Sequence, residues 1–204
     1  MNNRIIKYLI VFFAYLSVLY PLWVRVKTIQ WTFDPGLRAL NIFPLFGLTA
    51  FSLLWLHAIS GSFEPWLRTL FDFDRFVHIT ATIILICIIS HPLLLLAGLE
   101  FKINNIFLYY SAKYIWLAVI AWLLLITYDI GKALKKKYDF FSKNWNTILI
   151  ISNVGFLLTF FHSMALGSDL QSGPLRAIWI FYGITAAISI IYTYGIKRFL
   201  KLNF

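Results

Sequence analysis

Charge is scarce in this chain, and acidic charge most of all. Asp and Glu number 8 against 18 Lys and Arg, and charged residues fill only 13% of the 204 positions. A soluble domain carries about 25% charged and about 45–50% apolar residues. Here 61% are hydrophobic and 19% aromatic. That composition excludes a water-facing surface, and no stretch is long and polar enough for a separate soluble domain. Residues 1–204 therefore read as one integral membrane domain. Cysteine is nearly absent. The single Cys87 lies inside an apolar run, which excludes an internal disulfide, a CxxC redox pair and a Cys-ligated iron–sulfur cluster. It reads as a small buried apolar residue, and any redox chemistry needs another carrier. No small-x-small cleavage site follows the apolar start, so that start reads as an uncleaved first span. No internal sequence repeat is evident.

What the chain has in quantity is long apolar runs. Six spans are expected, at about 5–24, 42–60, 75–98, 114–130, 147–166 and 175–196. Each is long enough to cross a hydrocarbon core of about 30 Å as a helix. Barrel strands alternate and would not give such unbroken runs. The connectors carry turn signals and interfacial aromatics, among them Asp34-Pro35-Gly36 and Glu64-Pro65-Trp66. The fold class is all-α, a six-helix membrane bundle.

The basic residues set an orientation. Twelve of the eighteen fall on the side of the N-terminus: Arg4, Lys7, Arg68, Arg75, Lys132, Lys135, Lys136, Lys137, Lys143, Lys197, Arg198 and Lys201. Cytoplasmic loops carry the excess of Lys and Arg, so both termini are expected in the cytoplasm, in keeping with a bacterial inner membrane. The net charge of +10 is then a topology signal and not a nucleic-acid footprint.

Against this background the four histidines stand out. An ionisable side chain inside a membrane is costly, so its presence points to function. His91 and His162 each lie about sixteen residues into spans three and five, which run the same way, so their side chains can meet at one depth. Two neutral imidazoles suit iron and add no net charge. Placed above and below a porphyrin, they make a low-spin haem b suited to electron transfer. The haem is therefore expected between spans three and five, covered by Ile88, Ile89, Leu93, Leu94, Phe160 and Phe161, with Pro92 bending the helix beside it. Zinc competes less well, since it prefers four ligands and no third is near.

His78 is thirteen residues before His91, a rotation of about 220° on a helix, so the two do not share a face. A second haem would need His78 and a partner, for which His57 is the one imidazole left. The alternative is that His78 and His57 bond interfacial water or backbone. Arg75 and Arg68 fall where inner propionates would lie, and Arg176, Lys113 and Lys102 where outer ones would. Each also serves as a plain interfacial anchor. A chain of the same composition with structural histidines and no haem would be a small transporter or an assembly protein.

Asp74-Arg75, His78 and His91-Pro92 in span three resemble the third helix of the ferric reductase-like transmembrane superfamily. Gly47-Leu48-Thr49-Ala50, Trp145 and His162 match it further, and the likeness covers about residues 40–165. It implies stacked b haems held by histidines of the third and fifth helices, with His91 and His162 as the outer pair. Leu149 stands where the family has the first fifth-helix histidine, which departs from a second haem. It also implies an oxidoreductase component. Since few residues follow span six, electrons are expected from a quinol or a separate donor protein. The acceptor on the outer side would be ferric iron, oxygen or a partner protein.

Overall fold

The six long apolar runs are all helical in the computed structural model, which describes residues 3–197. Helix α1 covers Asn3–Thr28, α2 Pro35–Ser62, α3 Glu64–Leu67, α4 Phe73–Gly98 and α5 Ile103–Tyr109. Helix α6 covers Ala112–Leu134, α7 Asp139–Lys143, α8 Trp145–Leu166 and α9 Gly173–Ile190, which continues as a π-helical turn over Ile191–Ile196. No strand occurs among the described residues. Six of the helices are long and apolar enough to cross a membrane. Phe12, Phe13, Leu123, Phe161, Phe181 and Ile184 are each more than half exposed, an arrangement that suits acyl chains and not water. The chain is a multi-pass integral membrane protein. Arg198 and Lys201, counted above for orientation, lie outside the described residues.

The first connector is shorter than its charges suggest. Arg25 and Lys27 belong to α1, not to a loop. The Arg25 guanidinium, only 9% exposed, donates through Nε and an Nη to the Asn41 carbonyl at 3.2 and 2.7 Å. The Lys27 ammonium sits 3.6 Å over the Trp23 ring. Asp34-Pro35-Gly36 is not a turn but a helix start. The Asp34 carboxylate accepts from the Leu37 N–H at 2.7 Å, and Pro35 takes a first-turn position where its missing N–H costs nothing. Span two therefore begins seven residues earlier than its apolar run.

The helices gather into two compact units. One contains α1 to α4 together with α9 and the π-helical turn; the other is Asn104–Gln171, with α6 to α8. In the first, α2 is central, packing on α1, α4 and α9. Trp55 stacks on Tyr182 at 4.1 Å and Phe51 on Trp179 at 4.5 Å. The Trp55 Nε1–H donates to Thr185 Oγ1 at 2.8 Å, and the Tyr182 hydroxyl donates to the Ser17 carbonyl at 3.0 Å. With no water in the hydrocarbon, each polar atom needs such a partner. In the second unit, α6 and α8 pack so closely that a Cβ on Gly155 would lie 2.8 Å from the Ala121 carbonyl oxygen. Glycine is what allows the two backbones to touch.

Candidate functional site

His91 and His162 occupy corresponding places in the two units. His91 is on α4, and its Nδ1 lies 2.9 Å from the Phe43 carbonyl oxygen of α2. His162 is on α8, and its Nδ1 lies 3.1 Å from the Tyr114 carbonyl oxygen of α6. Each bond spans 48 residues. Phe43 to Tyr114 is a step of 71 residues (114 − 43), and so is His91 to His162 (162 − 91). Thus α2–α4 and α6–α8 are two helical hairpins with the same internal register, although the sequences that form them show no evident repeat. Few side chains need agree for this, because the shared partner is a backbone carbonyl.

The bond has a chemical consequence. A carbonyl only accepts, so each Nδ1 carries the ring proton, and the neutral ring has its lone pair on Nε2. A histidine anchored through Nδ1–H to a carbonyl is in the tautomer and orientation in which Nε2 binds metal. Each carbonyl has two lone pairs, so it can serve its own helix and accept the imidazole as well. Both rings are half-buried.

The His91 ring is also held from below. It packs against Gly47 so closely that a Cβ there would meet Cε1 at 2.9 Å and Nδ1 at 3.0 Å. The Phe43 ring lies 5.1 Å from it on the same helix of the pair. Pro44 follows Phe43 inside α2 and supplies no N–H to the preceding turn. Pro92 lies inside α4 directly after His91. Counted from the end of its own helix, His91 is 7 residues before Gly98 and His162 is 4 before Leu166.

His57 is built the other way round. Its Nε2 lies 2.5 Å from Thr80 Oγ1. The Thr80 hydroxyl has one proton and directs it to the Phe76 carbonyl at 2.7 Å, so it accepts from His57 Nε2–H. That nitrogen is a donor, whereas Nε2 of His91 and His162 carries the lone pair. His57 and Thr80 meet on the α2–α4 contact, and His78, two residues earlier, is exposed on another face. The structure thus brings His57 to Thr80 and not to His78.

The cations have separate fates. Arg68 is clasped by the protein's own carboxylates: its two Nη atoms reach the Asp74 oxygens at 2.8 and 2.7 Å, and Nε reaches Glu64 at 2.9 Å. These partners raise the Arg68 guanidinium further above its ordinary value. Arg75 is exposed at the start of α4, Arg176 is half-buried in α9, and Lys113 is exposed with its ammonium 5.6 Å from the Tyr114 ring centroid. Lys102 pairs with Glu100 at 2.6 Å, which raises the lysine and lowers the carboxyl.

Among the described residues no three His, Cys, Asp or Glu side chains cluster as a metal site. A zinc ion, which takes about four ligands, has no protein-only cage there. A porphyrin brings four nitrogens of its own and asks the protein for one or two, so an imidazole anchored in this way has the chemistry of a haem ligand without a protein cage. Comparison with protein-family models, curated proteins and solved structures finds no match to this chain.

Proposed function

We propose that the chain is a membrane b-type cytochrome, resembling the membrane component of ferric reductase-like systems, in which His91 and His162 would hold a haem b. The observation that carries the proposal is the common anchoring of these two rings. Each is fixed by an Nδ1–H bond to a carbonyl one helix away, at the same register of its hairpin. Two intramembrane histidines prepared alike favour a joint task.

When bound, the haem supplies a one-electron iron couple. The protein's own part is to hold both Nε2 lone pairs in fixed directions. Gly47 leaves room for the Cε1–Nδ1 edge of the His91 ring against α2. Neutral imidazoles add no charge to the hydrocarbon. Arg176 and Lys113 are the proposed partners of the propionates on the outer side; Arg75 stands sixteen residues before His91 (91 − 75), about 24 Å along α4, and would serve only a second, inner haem. One haem per chain is proposed, since His57 commits Nε2 to Thr80 and His78 faces elsewhere. Electrons would enter from a quinol or a donor protein and leave to an acceptor at the outer face, with both termini in the cytoplasm.

One observation favours a second reading. The same bonds, one in each hairpin, clamp the hairpins shut, which is a sufficient role for histidines in a small transporter or assembly protein without haem. Spectroscopy separates the two. The cytochrome, purified after expression with ample haem, shows a Soret band that shifts on dithionite reduction, and a pyridine haemochrome assay gives one haem per chain. His91→Ala and His162→Ala each abolish the band. Colourless wild-type protein that is folded by gel filtration overturns the cytochrome.

A further inference from the structure

A groove of about 470 Å³ opens at the end of the first unit where α2 finishes and the π-helical turn begins. Its walls include Ser62, Phe63, Trp66, Ile188, Tyr192 and Lys197. The size falls within the range of small-molecule sites, about 300–1,000 Å³. The π-helical turn is part of its construction. Ser62 Oγ lies 2.9 Å from Thr193 Oγ1 inside that turn and 3.3 Å from the Ser189 carbonyl just before it. Single π-turns inside membrane-length helices are uncommon and gather at functional sites.

The chemistry of the walls selects an occupant. Phe63, Trp66 and Ile188 are about half exposed or more, so the groove is continuous with an apolar outer surface. Trp and Tyr belong at the headgroup level of a bilayer, and Ser62 is the last residue of α2. Among the described residues that line the groove, Lys197 is the only charged one, and no carboxylate opposes it. A neutral ligand would not call for an ammonium there, whereas a phosphodiester would. Basic pockets between membrane helices are known homes for anionic lipid headgroups, and one Lys near the surface is worth about 1 kcal/mol, or about fivefold.

We infer that this groove binds the headgroup of an anionic phospholipid from the leaflet on the side of the N-terminus. Lys197 meets the phosphate, Trp66 and Tyr192 flank the glycerol region, and Ile188 meets the first acyl carbons. Ser62 is about fifteen residues along α2 from Gly47, or roughly 22 Å, so the inference is independent of the haem.

The full chain, purified and equilibrated with equal amounts of phosphatidylglycerol and phosphatidylcholine, is read by native mass spectrometry for bound lipid. Wild type retains phosphatidylglycerol in preference. Lys197→Gln lowers its occupancy by about fivefold, and Lys197→Arg keeps it. Ile188→Trp, at an exposed position, fills the groove without altering charge and lowers the occupancy too. Equal retention of the two lipids by wild type overturns the inference, as does an unchanged Lys197→Gln. Phosphatidylglycerol binding that survives Ile188→Trp shows general basic attraction and overturns the groove. A neutral short-chain quinone that displaces phosphatidylglycerol from wild type and binds Lys197→Gln equally well makes it a quinol site instead.

Discussion

Gly47→Ala tests the proposed haem binding apart from stability more cleanly than loss of a histidine does. The new Cβ would stand 2.9 Å from His91 Cε1 and 3.0 Å from Nδ1. The ring must withdraw by roughly 0.6 Å to reach an ordinary carbon–carbon separation of about 3.5 Å. Its Nδ1 bond to Phe43, 2.9 Å in the native fold, then stretches toward about 3.5 Å, the edge of useful geometry. Losing that bond costs about 0.5–1.5 kcal/mol. Replacing glycine by alanine inside a helix returns about 0.8–1 kcal/mol. The two nearly cancel, so Tm moves by no more than a few degrees. Haem affinity is not protected in this way. Removing the group that orients a metal-binding histidine typically lowers affinity about 10–100-fold. The assay is haem titration of apoprotein beside a thermal melt of the same preparation. Gly61→Ala is the control, since nothing lies within 4 Å of a Cβ there. Wild-type haem affinity in Gly47→Ala, or an equal loss in Gly61→Ala, would refute the ring-positioning argument.

Other perturbations test separate parts of the fold. Tyr182→Phe removes the hydroxyl that donates to Ser17 and should cost about 1 kcal/mol, read by thermal melt. Phe101→Gly should stabilise by about 1 kcal/mol, read by thermal melt. Glu100 and Phe101 both hold left-handed backbone, φ 53° and 57°, a strain that glycine relieves, and the Phe101 side chain is 65% exposed. Glu100→Gln tests the ion pair with Lys102. The carboxyl is lowered in the folded state by its lysine partner, so the pair contributes above the ordinary carboxylate range and the contribution is lost as pH falls through the lowered value. The melting difference between Glu100→Gln and wild type should therefore be small at pH 7, vanish in strong acid and shrink in high salt. Arg25→Met should destabilise by about 1–3 kcal/mol in a thermal melt, because the Asn41 carbonyl loses both guanidinium donors within a partly buried contact.

The spans were legible because bilayer length and apolar content leave one solution, the helix. Their ends were less so. Arg25 and Lys27 look like loop residues, yet one is absorbed by a carbonyl and the other by an aromatic ring. Asp34-Pro35-Gly36 serves turns and helix starts alike, and only the Leu37 N–H on the Asp34 carboxylate decides between them. The histidines could be found by composition. Their anchoring could not, because every residue offers a carbonyl and nothing in the letters Phe43 or Tyr114 marks them as acceptors. The repeated hairpin was hidden for the same reason. The Thr80 partner of His57 was in principle findable, since both fall on the helix faces that meet, but periodicity alone does not pair helices. The groove beside the π-helical turn had no signal beyond Trp66, Tyr192 and Lys197 near two helix ends.

The first unit is discontinuous along the chain, and this sets an order of events at the ribosome. The ring-bearing face of α2 finds its match only when α9 arrives, and α9 begins 111 residues after α2 ends (173 − 62). At a synthesis rate of about 5–20 residues per second, the delay is about 6–22 s. Throughout it, the nascent chain holds Phe51 and Trp55 without Trp179 and Tyr182, and Ser17 without its hydroxyl donor. The α6–α8 hairpin closes before the unit that precedes it is complete. A stalled chain released after Gln171 would thus carry a finished second hairpin and an unfinished first unit.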